Sequence, residues 1–190
     1  MTITDKYVLF YGSDWPSNFA PSSITVDDDF WERGIWDDPE GEPSTITFPT
    51  AEAYYQSRKA VMAKDKDRYY KIAQARYPSE TKKIAREIKL DSKQWNKERV
   101  KWMWETLNLK FKQNPDLMKM LVDDRLDGKK FIEASPTDPF WGAGVDEEGI
   151  CRMIEMREDP LGFDFEKDLP KCQNMLGELL TKLREFEHKK

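Results

Sequence analysis

The chain has 190 residues and a mass of 22.5 kDa, the size of one domain with a core of its own. Its 36 Asp and Glu against 31 Lys and Arg leave a formal charge of -5, the wrong sign for a body that grips long duplex nucleic acid through its phosphates. A hydrophobic fraction of 38% that includes seven Trp excludes a disordered chain, although 35% of the residues are charged.

Cys151 and Cys172 are the only cysteines, and the single histidine, His188, stands in the terminal Glu187-His188-Lys189-Lys190 segment. This pattern supports neither a zinc cluster nor a disulfide scaffold, and it leaves no Ser-His or Cys-His pair for an ordered core. Acid and base work therefore falls to carboxylates, Lys or Tyr. The first residues lack a basic region followed by an apolar run, and no stretch of about 18 apolar residues occurs, so the expected setting is cytoplasmic and away from the membrane.

Tyr7 to Tyr11 and Thr45 to Phe48 read as short strands, rich in β-branched and aromatic residues and closed by Gly12 and Pro49. Between them Asp27 to Ser44, with its run of aspartates, two Trp, Gly and Pro, reads as a long loop or hairpin insertion. Thr50 is an N-cap candidate for a helix continuing through Ala63, with Glu52 in its first turn. Lys66 to Ala75 and Ser79 to Lys89 are short helices split by Pro78, with Ser79 as the second N-cap. Trp95 to Lys112 is the longest periodic segment, in which Trp95, Trp102 and Leu109 recur every seven residues beside Met103, Leu107 and Phe111. Asn114-Pro115 opens a helix to about Asp123, Lys130 to Ala134 is a strand, and a last helix runs from about Cys172 to Phe186. The expected architecture is α+β, a mostly helical single domain over residues 1–190 with one small sheet from the segments near Tyr7, Thr45 and Lys130.

Three groups of residues carry chemistry. On the helix after Thr50, Glu52, Gln56 and Lys59 fall on one stripe, while Tyr54 and Val61 point the other way. Such a stripe is either a solvated face or a carboxylate and an amine turned into a site. Glu133 to Gly144 leaves a strand, turns at two prolines and sets Asp138 beside Phe140, Trp141 and Gly142. It is either a ligand loop, in which glycine admits close backbone approach and Trp floors an aromatic base, or a structural turn capped by Asp138. Asn18, between Ser17 and Phe19, and Asn174, before Met175-Leu176-Gly177, each suit a polar ligand contact or a local turn or helix start.

Taken in order, these segments resemble the NADAR family, also called YbiA-like. The resemblance rests on Ser17-Asn18-Phe19, on Phe48-Pro49-Thr50-Ala51-Glu52 through Tyr55-Gln56 to Lys59, and on Lys83-Ile84-Ala85-Arg86. It continues with Trp95, Arg99 to Met103, Lys110-Phe111-Lys112-Gln113-Asn114-Pro115, Glu133 to Gly144, and Asn174 to Gly177. Ala85 stands where the family often has Gly, and the Asp27 to Ser44 and Gly149 to Lys171 segments depart from its pattern.

The resemblance implies hydrolysis of an N-glycosidic bond between a ribose carbon and a nitrogen. The substrate it favours is ADP-ribose on the guanine amino group, in a nucleotide or in DNA or RNA. Ribosylamino-pyrimidine intermediates of riboflavin synthesis are the alternative, and a non-catalytic ADP-ribose-binding module is the competing class. On this resemblance Glu52, Lys59 and Asp138 are catalytic, while Asn18, Phe19, Gln56, Arg86, Trp95, Phe140, Trp141, Gly142 and Asn174 bind substrate. No cofactor or metal is implied.

Overall fold

The computed structural model describes residues 1–28, 45–157 and 162–189. Two units build the chain, one from Met1–Ala20 with Asp116–Lys190 and one from Pro21–Pro115. The loop expected over Asp27 to Ser44 lies, beyond Asp28, outside the described residues.

In the first unit, Tyr7–Phe10 is an apolar run without alternation and forms β2, with all four residues buried. Such runs belong where both faces of a strand are covered. β1 (Thr2–Ile3) pairs antiparallel with β2, and β5 (Lys130–Glu133) pairs parallel with it, Tyr7 opposite Lys130 and Phe10 opposite Glu133. One core cluster joins Tyr7, Leu9 and Ile132 to Ala143, Ile150, Phe163 and Phe165. Helices α5 (Pro115–Leu121), α6 (Glu147–Glu155), α7 (Phe165–Asp168) and α8 (Met175–His188) follow the chain, α5 beginning at the unit boundary. The spacing of Met175, Leu176, Leu179, Leu180, Leu183 and Phe186 predicts one apolar face; α8 lies against β5 and buries the four leucines, while Met175 is half-buried and Phe186 is exposed. It starts three residues later than expected, and α6 and α7 are not foreseen by the sequence reading.

In the second unit, β3 (Pro21–Asp27) and β4 (Thr45–Thr50) form a separate two-stranded antiparallel sheet. The Thr45 strand therefore does not join those at Tyr7 and Lys130, which corrects the expected single sheet. Its partner β3 escapes the sequence reading because Ser22, Ser23 and Thr25 give it little apolar weight. α1 (Ala51–Ala63) leaves β4 directly, capped by the Thr50 hydroxyl, which accepts from the Ala53 N–H at 3.2 Å. α2 (Lys66–Gln74), α3 (Pro78–Arg86) and α4 (Ser92–Gln113) complete the unit. Pro78 occupies the first turn of α3 with Tyr77 as N-cap, so the helix begins at the proline rather than after it. The fixed φ of proline suits that position, where its missing N–H costs nothing.

Ile24, Phe48, Tyr54, Tyr69 and Ile72 form the core of this unit with Ala51, Ala53 and Ala60, whose small side chains let neighbours approach α1 closely. The buried face of α4 is Met103, Thr106, Leu107, Lys110 and Phe111, while Trp95, Trp102 and Leu109 are only half-buried, so the seven-residue repeat marks the rim of the contact. The Lys110 side chain is fully buried, with its Nζ 5.2 Å from the centre of the Phe111 ring.

Burial lowers the Lys110 pKa from the ordinary 10.5 to about 7. The unfolded chain keeps the ordinary value, so between these two pH values the unfolded state binds the extra proton and stability rises with pH. Below the window the burden of burying the charge is complete. Lys110→Met removes this contribution. Denaturation midpoints taken at about pH 6.5 and about pH 9.5 should differ by less in the variant than in the parent protein, and equal differences would exclude a titrating Lys110.

Candidate functional site

α1 is enclosed on nearly every side, with Glu52 4% exposed and Gln56 7% exposed. The solvated-face reading of the Glu52, Gln56 and Lys59 stripe is thereby overturned. A carboxylate removed from water needs donors and positive charge around it. Gln56 supplies the first, its Nε2 donating to Glu52 Oε1 at 2.9 Å. Lys82, which the sequence reading did not single out, supplies the second with Nζ 3.9 Å from the same oxygen. Lys82 and Arg86 are four residues apart on α3 and so share a face, which is the signal that could have found Lys82.

Because the Gln56 amide nitrogen faces the carboxylate, its Oε1 faces away, and that oxygen is buried without a hydrogen-bond partner among the described residues. An unsatisfied buried acceptor costs roughly 1–3 kcal/mol, a local defect of the kind that collects at working sites.

Lys59 is half-buried, with Nζ 5.2 Å from the centre of the Trp95 ring. Its pKa lies below the usual lysine value chiefly because of desolvation, with the charges of Lys82 and Arg86 acting in the same direction and Glu52 opposing them. Trp95 is held in turn by Tyr55, the ring centres 5.3 Å apart and the planes tilted by 53°. Glu52, Gln56, Lys59, Arg86 and Trp95, five of the sequence-derived residues, thus belong to one neighbourhood built by α1, α3 and α4, and Lys82 and Tyr55 join it. The unit Pro21–Pro115 carries 18 Lys and Arg against 16 Asp and Glu, close to balance, in a chain that carries 31 against 36. The positive charge that surrounds the carboxylate is thus local, from Lys59, Lys82 and Arg86.

The remaining candidates lie in the other unit. Asp138 is half-buried and its Oδ1 accepts from the Phe140 N–H at 3.1 Å and the Trp141 N–H at 2.9 Å, the capped turn of the structural reading. Only Oδ2 stands outside those two bonds. Phe140 and Trp141 meet edge to face with ring centres 4.8 Å apart. Gly142 is required here: a Cβ would fall 2.7 Å from the Glu133 carbonyl oxygen and 2.8 Å from Ser135 Cβ. Asn18 is 3% exposed, and the turn around it is held by Ser17, whose hydroxyl accepts from the Phe19 N–H at 3.2 Å. Asn174 is 1% exposed and both ends of its amide bond the backbone of β5, its Nδ2 to the Phe131 carbonyl at 2.8 Å and its Oδ1 to the Glu133 N–H at 3.0 Å.

The fold is α+β, mostly helical, and of the kind found in E. coli protein YbiA. The NMR structure of that protein matches 97% of this chain and 86% of its own with a TM-score of 0.62 at 24% identity. The chain belongs to the NADAR domain family, whose model matches residues 9–186. An N-glycosidase of Acanthamoeba polyphaga mimivirus is 28% identical over 96% of both chains. Protein irg-1 of Caenorhabditis elegans is 29% identical over 96% of this chain and 80% of its own. The chloroplastic riboflavin biosynthesis protein PYRR of Zea mays is 31% identical over 77% of this chain, a match that spans 23% of the maize protein. No helix among the described residues is long and apolar enough to cross a membrane.

The charges around Lys59 set the sign of a direct test. Lys82→Met should raise the Lys59 pKa and Glu52→Gln should lower it further, as read from the pH dependence of reductive methylation at Lys59 followed by mass spectrometry. Shifts of the opposite sign would show that these groups do not act on Lys59 in solution.

Proposed function

We propose that this chain is an N-glycosidase, a hydrolase of the bond between a ribose carbon and an exocyclic base nitrogen, that it acts on ADP-ribose attached to the guanine amino group, and that residues 1–190 form one NADAR domain. The observation that carries the reading is the buried Glu52 carboxylate, held by Gln56 and Lys82 beside a lysine of lowered pKa. The mimivirus relative is named an N-glycosidase, which supports the bond type. The cationic surroundings of Glu52 suit a substrate that carries phosphate, whether a free nucleotide or a modified base in DNA or RNA.

Cleavage of a ribosyl C–N bond develops positive charge at the anomeric carbon, and the Glu52 carboxylate stabilises it. A second route uses Lys59. When the ribose ring opens, the ring C–O bond breaks as the nitrogen lone pair forms a protonated C=N bond, and the ring oxygen takes up a proton from solvent. The neutral Lys59 amine adds at that carbon, a proton passes to the base nitrogen, and the base departs as its amine. Water then adds to the lysine imine and releases the sugar aldehyde, which recloses. The lowered Lys59 pKa raises the fraction of amine available for the addition.

In this reading Arg86 and Gln56 contact ribose or phosphate, and Trp95, Phe140, Trp141, Gly142, Asn18 and Phe19 hold the base and sugar. Asp138 is the second carboxylate, acting through Oδ2. A ribosylamino-pyrimidine of riboflavin synthesis is the second reading, supported by the name of the maize relative. A purely binding module is disfavoured by the joint presence of Glu52, Lys59 and Asp138.

Chromatography of products from ADP-ribosylguanosine, an ADP-ribosylated oligonucleotide and a ribosylamino-pyrimidine separates the substrates. On the active substrate, Glu52→Gln should lower turnover about 100-fold or more with folding intact, and unchanged turnover would remove Glu52 from the mechanism. Borohydride added during turnover should leave the reduced sugar on Lys59. No adduct, together with substantial activity in Lys59→Arg, would reduce Lys59 to an electrostatic contact. Asp138→Asn keeps the acceptor that caps the turn and loses the charge, so a fall of about 100-fold would assign catalysis to the carboxylate, and little change would leave it the turn.

A further inference from the structure

The start of α8 is spent on one loop. Successive N–H groups of Gln173, Asn174, Met175 and Leu176 donate to the carbonyls of Pro139, Gly142, Phe140 and Trp141 at 2.8, 3.2, 3.0 and 3.0 Å. A helix start leaves its first N–H groups without intrahelical partners, and here the loop takes those of Asn174, Met175 and Leu176 together with the Gln173 N–H just before the cap. The side chain of the N-cap, Asn174, does not cap the helix. It turns to the open edge of β5, where its amide donates to the Phe131 carbonyl and accepts from the Glu133 N–H. That is the pattern one residue of a neighbouring parallel strand would make opposite Ile132.

Two further features fit only this arrangement. Asn174 has φ 45° and ψ 39°, a left-handed conformation that Asn tolerates better than other side chains. Gly177, one turn on, lies so close to the strand that a Cβ would stand 2.1 Å from the Phe131 carbonyl oxygen. Helix, strand edge and loop thus meet at Asn174, and the loop is the one whose Phe140 and Trp141 N–H groups Asp138 gathers.

We propose that Asn174 is a positioning residue: it clasps the start of α8 to β5 and thereby fixes the loop that presents Asp138, Phe140 and Trp141, and it does not touch the substrate. The inference rests on the reading that this loop takes part in substrate binding. Only Asn combines tolerance of the left-handed backbone with a donor and an acceptor at this reach. Asp loses the donor to Phe131, and Gly keeps the backbone freedom while losing both bonds.

The test is hydrogen exchange and kinetics on Asn174→Gly, with Asn174→Asp as the second variant should the first fail to fold. In substrate-free protein the Phe140 and Trp141 amides should exchange about tenfold faster or more than in the parent. On the active substrate, turnover should fall about 100-fold, the cost of a loop displaced by about an ångström. Asn174→Asp, which loses one bond, should fall between the two. Lost activity with unaltered exchange would make Asn174 a ligand contact and overturn the proposal, as would faster exchange with unaltered kinetics. If the parent protein cleaves none of the three substrates, the functional reading fails by itself and the exchange result alone decides whether Asn174 is the clasp.

Discussion

A carboxylate buried to 4% exposure on the central helix of its unit is the constraint around which the Pro21–Pro115 unit is arranged. An isolated ion in such a place is too costly to keep, so the surroundings must answer it. Gln56 answers with a hydrogen bond one turn along the same helix, and α3 answers with Lys82. The alanines of α1 and the edge-to-face rings of Phe48, Tyr54 and Tyr69 supply the apolar framework that holds this polar stripe in place. The far side of α1 is treated in the same way: Arg58, 3% exposed, lies 4.3 Å from the centre of the Tyr54 ring and donates to the Ser57 hydroxyl. Both faces of α1 thus carry charge inside the protein. This helix cannot be recognised as central from its apolar content.

The net charge of the chain is a poor guide to the field at the candidate site. Averaged over all residues the protein is acidic, yet Lys59, Lys82 and Arg86 gather around Glu52. The repulsion that Lys59 feels from Lys82 and Arg86 is a consequence of that local grouping, while its desolvation comes from burial. An anion entering there would be attracted by groups that now repel one another, so binding would relieve an electrostatic burden as well as form contacts.

The sequence was most legible where one local rule decided the outcome. Thr50 before an alanine-rich run, the leucine spacing of α8 and the aromatic strand at Tyr7 each appear as their residues require. It was least legible where a distant partner decided. Thr45 to Phe48 reads as a strand, but nothing in those four residues says that they pair with the polar segment after Pro21 rather than with Tyr7. Glu52 and Gln56 have the spacing of a stripe whether it faces water or protein, and only the packing of α3 and α4 resolves the choice. Asn174 looked like a polar group offered to a ligand; its amide is occupied by a strand 41 residues earlier, at Glu133.

The parallel pairing of β2 with β5 has a bearing on how the protein comes to be folded. Tyr7 meets Lys130, so the sheet closes a loop of more than a hundred residues, and that closure carries an entropic burden that grows with loop length. The hairpin and helices of Pro21–Pro115 close much shorter loops and can gather their contacts while Tyr7–Phe10 still lacks its partner. On the ribosome β2 is made long before β5 and must wait, with its four large apolar residues lacking that neighbour, until the chain has been synthesised past Glu133. The lysine and aspartate that precede it, Asp5 and Lys6, are the nearest charged residues to keep that waiting segment from pairing with another chain.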